Sequence, residues 1–277
     1  MTNEPFWILA YHRLGKTTSP DGWTVAKSDF TDQMRFLLRR FRPVSLGDLV
    51  EAMIARRPIP PRAVAVTFDD GYADTCTLAL PILKRMKIPA TVFITTAYMD
   101  GSAAPSRAPM LSWRRVREMQ KAGIEIGSHT LTHPHLPRLS RKEAGRQILV
   151  SRRRIEEMLQ VPVRLFAYPY GEAGTAKGPL RTSVRSAGYL AACTTRPGHN
   201  HADTDRYALS RVPPLSPKLE PGHFTHELSR LARGKTGRRA AKGIYNFTDR
   251  TVRLWKKRYG RLDRAIERRG FFDWKMP

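Results

Sequence analysis

Short apolar runs alternate along this chain with longer stretches of helical spacing. Phe6 to His12, Ala63 to Phe68, Ala90 to Thr95, Ile124 to Ser128, Arg164 to Tyr168 and Tyr189 to Thr194 read as strands, because each is brief and bounded by turn or polar residues. Between them, Ser28 to Phe41, Leu46 to Arg56, Tyr72 to Met86, Ser112 to Ala122, Arg141 to Leu159 and Gly178 to Ala187 carry apolar residues at helical spacing. Ser140 and Glu143 make a capping box ahead of the longest of these. Such alternation predicts an α/β fold, a parallel sheet covered by helices. Periodicity alone leaves open whether the sheet closes into a barrel or stays doubly wound.

The alternation ends near Pro213-Pro214, with Pro217 and Pro221 close behind. This divides the chain into a catalytic-sized domain over 1–215 and an extension over 216–277, in which His223 to Arg233 and Asp249 to Arg269 read as helices. The segment Ser102 to Pro109, rich in Ala, Ser and Pro, reads as a loop lining or covering a site, or as an ordinary solvated connection.

Charge changes the picture of the extension. The net charge is +25, and from Arg230 onward 16 Lys and Arg face 4 Asp and Glu, a surplus of +12. These cations are interleaved with aromatics such as Phe247, Trp255, Tyr259 and Trp274, which suits an anionic membrane surface or an acidic partner. No recognised nucleic-acid-binding motif accompanies them, so nucleic acid is not the expected partner. The N-terminal residues lack the pattern of a secretory signal, and no apolar run approaches the roughly 20 residues of a membrane-spanning helix. The expectation is a cytoplasmic protein or one held peripherally on a membrane. Cys76 and Cys193 are the only cysteines, with no Cys-x-x-Cys spacing. That argues against a disulfide framework and a thiolate zinc site, and both are expected in the core.

Two polar clusters stand directly after predicted strands: Thr67-Phe68-Asp69-Asp70-Gly71 and Ser128-His129-Thr130-Leu131-Thr132-His133. Together they offer two carboxylates and two imidazoles, enough for three ligands to one metal ion plus a separate base. Either cluster alone has a bland reading, as a turn or helix cap for the aspartates and as satisfied polar residues for the histidines. At the carboxyl ends of parallel strands, both can converge on one mouth.

The first cluster resembles the first motif of the polysaccharide deacetylase family, carbohydrate esterases that share a NodB-type domain, and His129 to His133 resembles the second. Phe166-Ala167-Tyr168-Pro169-Tyr170-Gly171 stands where the third motif lies and keeps Pro169, Tyr170 and Gly171. The resemblance runs from about Phe6 to about Pro213. It implies a distorted (β/α) barrel of about seven strands with one divalent metal ion, zinc for preference. By resemblance Asp70, His129 and His133 would hold the ion, Asp69 would be the general base, and the Tyr170 backbone N–H would face the developing oxyanion. His135 falls outside the ligand pattern.

The late Leu-x-His motif that carries the general acid in many members is missing. His12, at the end of the first strand, takes its place in a manner similar to the circularly permuted branch, which includes deacetylases of poly-N-acetylglucosamine exopolysaccharides. The third motif's arginine is replaced by Ala167, with Arg211 as the candidate substitute, and the tryptophan-containing fourth motif is not evident. The implied activity is metal-dependent removal of N-acetyl groups from amino sugars of an oligo- or polysaccharide. O-deacetylation, deacetylation of a small glycoconjugate, and a non-catalytic carbohydrate- or anion-binding role are the alternatives.

Overall fold

The computed structural model describes residues 4–16, 23–99, 108–171 and 176–212. The extension over 216–277 and most of the Ser102 to Pro109 segment therefore lie outside the described residues. In chain order the strands are β1 (Trp7–Tyr11), β2 (Arg13–Gly15), β3 (Thr24–Ala26), β4 (Arg42–Pro43), β5 (Ala63–Phe68), β6 (Ala90–Ile94), β7 (Glu125–Ser128), β8 (Leu165–Ala167) and β9 (Ala191–Cys193). The helices are α1 (Lys27–Arg40), α2 (Leu46–Ile54), α3 (Leu80–Met86), α4 (Thr96–Met99), α5 (Trp113–Lys121), α6 (Arg141–Leu159) and α7 (Gly178–Ser186).

Strands β1, β5, β6, β7, β8 and β9 lie side by side in that order and all run parallel, with β4 paired to the N-terminal end of β5. The two outer strands are joined by a segment without strand periodicity. Leu209 exchanges backbone hydrogen bonds with β9, its N–H donating to Ala192 and its carbonyl accepting from Thr194, while Val212 does the same with Ile8 and Ala10 of β1. Residues 209–212 thus bridge the sheet's two edges and curl it into a distorted barrel.

Side chains alternate across each strand, so one register of every strand faces the barrel axis. Ile8, Ala63, Ala65, Phe93, Leu165, Ala167, Ala191, Cys193 and Leu209 share one buried cluster with Leu46, Leu49, Val50 and Met53 of α2. Helix α2 therefore closes the bottom of the barrel, and its N-cap Ser45 accepts the Asp48 N–H. The opposite register, including Leu9, Tyr11, Val64, Val66, Val92, Ile94 and Phe166, packs outward on the covering helices. The axis is narrow. A Cβ on Gly127 would stand 2.5 Å from the Phe93 ring and 3.0 Å from the Leu165 carbonyl, so only glycine fits there.

The predicted helix Tyr72 to Met86 is interrupted: Thr75–Ala79 forms a π-turn before α3 begins. Pro81 explains this, since it has no N–H to donate and its ring would collide with the carbonyl four residues back in a regular helix. Cys193 is buried as expected, whereas Cys76 is only half-buried. No helix among the described residues is long and apolar enough to cross a membrane.

Candidate functional site

The inward register of β5 runs through Ala63, Ala65 and Thr67, and its next member is Asp69. Its N–H donates to the Tyr11 carbonyl at 2.9 Å, which extends the pairing with β1 one residue beyond the strand. Asp69 consequently points into the upper barrel, where Arg211 meets it. Both terminal guanidinium nitrogens bond the carboxylate at 2.7 Å, Nη1 also reaches Thr67 Oγ1 at 3.3 Å, and Nε donates to the Thr194 carbonyl at 2.8 Å. Leu209 and Arg211 share the inward side of the closing segment, which places a cation at the barrel's axis. Asp70 leaves the strand with φ of 69°, a left-handed conformation that turns its carboxylate upward and away from its neighbour.

The second cluster continues β7. His129 takes the inward register after Glu125 and Gly127, and its Nδ1 lies 2.8 Å from the Ala167 carbonyl. A carbonyl can only accept, so Nδ1 carries the proton and Nε2 presents a lone pair. Thr130 and His133 are both left-handed, at φ of 73° and 61°, and the Thr130 hydroxyl accepts the His133 N–H at 3.0 Å. This tight loop returns His133 to the same mouth. The Nε2 atoms of His129 and His133 lie 3.5 and 3.2 Å from Asp70 Oδ1, and one donor atom from each of the three residues falls within 4.8 Å of the others.

Asp70 Oδ1 is buried and satisfies no hydrogen bond. An anionic oxygen facing an imidazole lone pair at 3.5 Å is repulsive unless a cation lies between them. Two imidazoles and one carboxylate with an open side are the donor set of a divalent ion such as zinc, and the arrangement fits one. No other group of three such residues within reach of a single ion occurs among the described residues.

Burial and neighbouring charges shift these groups in opposite directions. Burial pushes the His129 imidazole down to about 4, outweighing the pull of Asp69, so the ring is neutral at pH 7. Burial alone would raise both aspartates. The Arg211 guanidinium nevertheless holds Asp69 below the usual carboxylate value, and His133 does the same for Asp70. Four residues in the left-handed region without being glycine, Asp70, Thr130, His133 and Tyr170, surround this one mouth. Such strain is kept where surrounding structure over-determines it.

The remaining candidates also converge. His12 Nε2 lies 3.9 Å from Asp69 Oδ2, and the ring packs edge-on against Trp23 with centroids 4.3 Å apart. Burial lowers its pKa below the ordinary imidazole value, against the opposing pull of Asp69 and Asp70. Tyr170 meets His133 edge-on at 4.8 Å and stacks on His135 at 3.6 Å with rings parallel to within 1°. His135 thus builds the wall behind Tyr170.

Sequence reading passed over Gln147 and Ser151, one helical turn apart on α6. The Ser151 hydroxyl lies 2.7 Å from that of Ser128, the residue before His129. Gln147 Oε1 accepts the Thr132 N–H at 3.0 Å, and its Nε2 donates to Thr132 Oγ1 at 3.1 Å, beside His133. Both residues are buried, so α6 pins the two ends of the histidine loop. Outer-shell partners of this kind are typically worth 10–100-fold in metal affinity. If Asp70, His129 and His133 hold a divalent ion, Gln147→Leu is expected to weaken its binding by about that factor, read by competition with a chromogenic chelator. An unchanged affinity would show that the loop holds its shape without α6.

Residues 56–192 match the family model described as polysaccharide deacetylase. Over 208 residues the chain is 29% identical to YxkH of Bacillus subtilis (strain 168), an inferred polysaccharide deacetylase, spanning 74% of this chain and 70% of that protein. Over 137 residues it is 30% identical to the poly-beta-1,6-N-acetyl-D-glucosamine N-deacetylase of Escherichia coli (strain K12), spanning 45% of this chain but only 20% of that protein. Among solved structures, the Streptococcus pyogenes deacetylase PplD in complex with acetate superposes with a TM-score of 0.71 at 22% identity, over 81% of this chain and 98% of that one. At that identity the likeness concerns the fold.

Proposed function

The chain belongs to the polysaccharide deacetylase family, and from that premise we propose that it is a metal-dependent hydrolase removing N-acetyl groups from the amino sugars of an oligo- or polysaccharide, with release of acetate. The observation that carries this reading is the convergence of Asp70 Oδ1, His129 Nε2 and His133 Nε2 beside a second, separately held carboxylate, Asp69. A binding module would have no use for a base beside a metal site. The name of the Escherichia coli relative supports an N-acetylglucosamine polymer as the substrate class.

Asp70, His129 and His133 would hold the ion. When bound, a divalent ion at such a site polarises the acetyl carbonyl and lowers the pKa of water to about 7. Asp69, held ionised by Arg211, takes the proton from the attacking water. The bidentate clamp fixes that carboxylate in one orientation, which substitutes in role for the arginine missing at Ala167. His12 faces Asp69 across the mouth and supplies the proton for the departing amine. The Tyr170 backbone N–H, presented by the left-handed turn after Pro169, faces charge that develops on the acetyl oxygen.

The test is acetate release from N-acetylglucosamine oligomers, before and after chelation, with zinc restored. Release should disappear on chelation and return with the metal, and His129→Ala should lose most of its bound metal by elemental analysis. Release that survives both chelation and His129→Ala would overturn the reading.

A further inference from the structure

The barrel end opposite the mouth, where strands begin and helices finish, carries a patch of arginines that the chemistry above does not use. Arg39 and Arg40 close α1, Arg42 opens β4, Arg56 and Arg57 follow α2, and Arg62 leads into β5. The Arg42 N–H donates to the Arg62 carbonyl at 2.9 Å, so the β4–β5 pairing brings the two runs to one edge. All six side chains are exposed, and none forms an ion pair among the described residues.

Helix dipoles account for part of this, since cations at a helix C-terminus are favourable; Arg39 and Arg40 fit that description. Arg42, Arg56, Arg57 and Arg62 lie in β4 or in connections and do not. Arg56 and Arg62 moreover adopt φ of 52° and 57°, where glycine or asparagine would avoid the steric cost of a long side chain. The guanidinium is kept where the backbone disfavours it. Leu38, 48% exposed, and Ile54, 42% exposed, are the exposed large hydrophobics of the described residues. They flank the same arginines in sequence.

Charge decides what could cover this face. The segment from Arg230 onward has a surplus of +12 and a second copy of the chain carries +25, so both are repelled. The partner is anionic. Single-stranded nucleic acid would call for exposed aromatic rings on which bases stack, whereas Phe36 and Phe41, the aromatics of these segments, are buried, and a duplex held by its phosphates would have no use for the exposed Leu38 and Ile54. Guanidinium groups that clasp phosphate, with aliphatic side chains between them, suit a phospholipid surface. We propose that the Arg39–Arg42 and Arg56–Arg62 face docks on an anionic phospholipid bilayer, with Leu38 and Ile54 entering the head-group boundary and the catalytic mouth turned away from the membrane. This surface is independent of the proposed chemistry, and its test reads binding alone.

Full-length protein would be sedimented with vesicles of phosphatidylglycerol and phosphatidylcholine, and with vesicles of phosphatidylcholine alone. Binding is expected only to the anionic vesicles. Reversal of Arg56, Arg57 and Arg62 to Glu should weaken it by about 100-fold or more, since each basic residue near the head groups contributes appreciably. The same charge change at the mouth end, Arg138, Arg141 and Lys142 to Glu, should leave it largely intact. Leu38→Ser with Ile54→Ser should weaken binding without altering net charge, and thermal unfolding would confirm that each variant is folded. Equal losses from the two charge reversals, or none from the first, would overturn the proposal. So would loss of oligonucleotide binding from the first reversal with vesicle binding unchanged.

Discussion

Asp69→Asn is expected to reduce acetate release by roughly 10²–10⁴-fold while the protein keeps its metal, because the variant removes the proton acceptor and leaves the donors of the ion in place. Asp70→Asn should behave differently, losing metal first and activity as a consequence. The distinction rests on geometry: Asp69 continues the inward register of β5 and is gripped by Arg211, whereas Asp70 turns out through a left-handed residue toward His129 and His133. Two neighbours in sequence therefore face two different partners. Metal content by elemental analysis and acetate release, measured on both variants, separate the roles. Identical profiles would sink the division, and a metal loss in Asp69→Asn would mean that this carboxylate is itself a ligand. The neutral amide still accepts from one guanidinium nitrogen, so folding should survive at reduced stability.

Those two aspartates and the two histidines were legible in the sequence because each pair is local: a few residues at a strand end fix both members. The strands themselves were legible for a similar reason. Six apolar runs appear as β1, β5, β6, β7, β8 and β9, with Ala63–Phe68 recovered end to end and the others somewhat shorter than the runs that announced them. The closure of the barrel was not legible in the periodicity and came only through the family resemblance. Residues 209–212 place Leu209 and Arg211 inward, and a buried arginine breaks the apolar register that marks a strand. Its partner lies 142 positions away, so no local spacing announces the contact. Gln147 escaped for a related reason, because a glutamine within the charge-rich α6 reads as part of a solvated face. Only the packing of α6 on the histidine loop reveals it as an inward clamp.

The Arg211–Asp69 pair also makes the second large prediction. Both side chains are buried, at 1% and 2% exposure, so removing the cation leaves a buried carboxylate without its bidentate counter-charge. Arg211→Met is expected to cost about 3–5 kcal/mol of stability at neutral pH, the usual penalty for breaking a buried pair from one side. The pH dependence has a definite sign. Asp69 is held below its ordinary value of 3.8, so the pair's contribution is full above that value and fades as pH falls through the native pKa. The stability difference between wild type and Arg211→Met should therefore be largest near neutrality and shrink below about pH 4 in denaturant titrations. Catalysis offers an independent reading. Without the guanidinium, burial raises Asp69, and the acidic limb of the rate profile should move to higher pH, which a purely structural role for Arg211 would not cause. Arg211→Lys should restore charge without the bidentate geometry, recovering much of the stability but little of the rate, because a single ammonium cannot fix the orientation of the carboxylate that must meet the water.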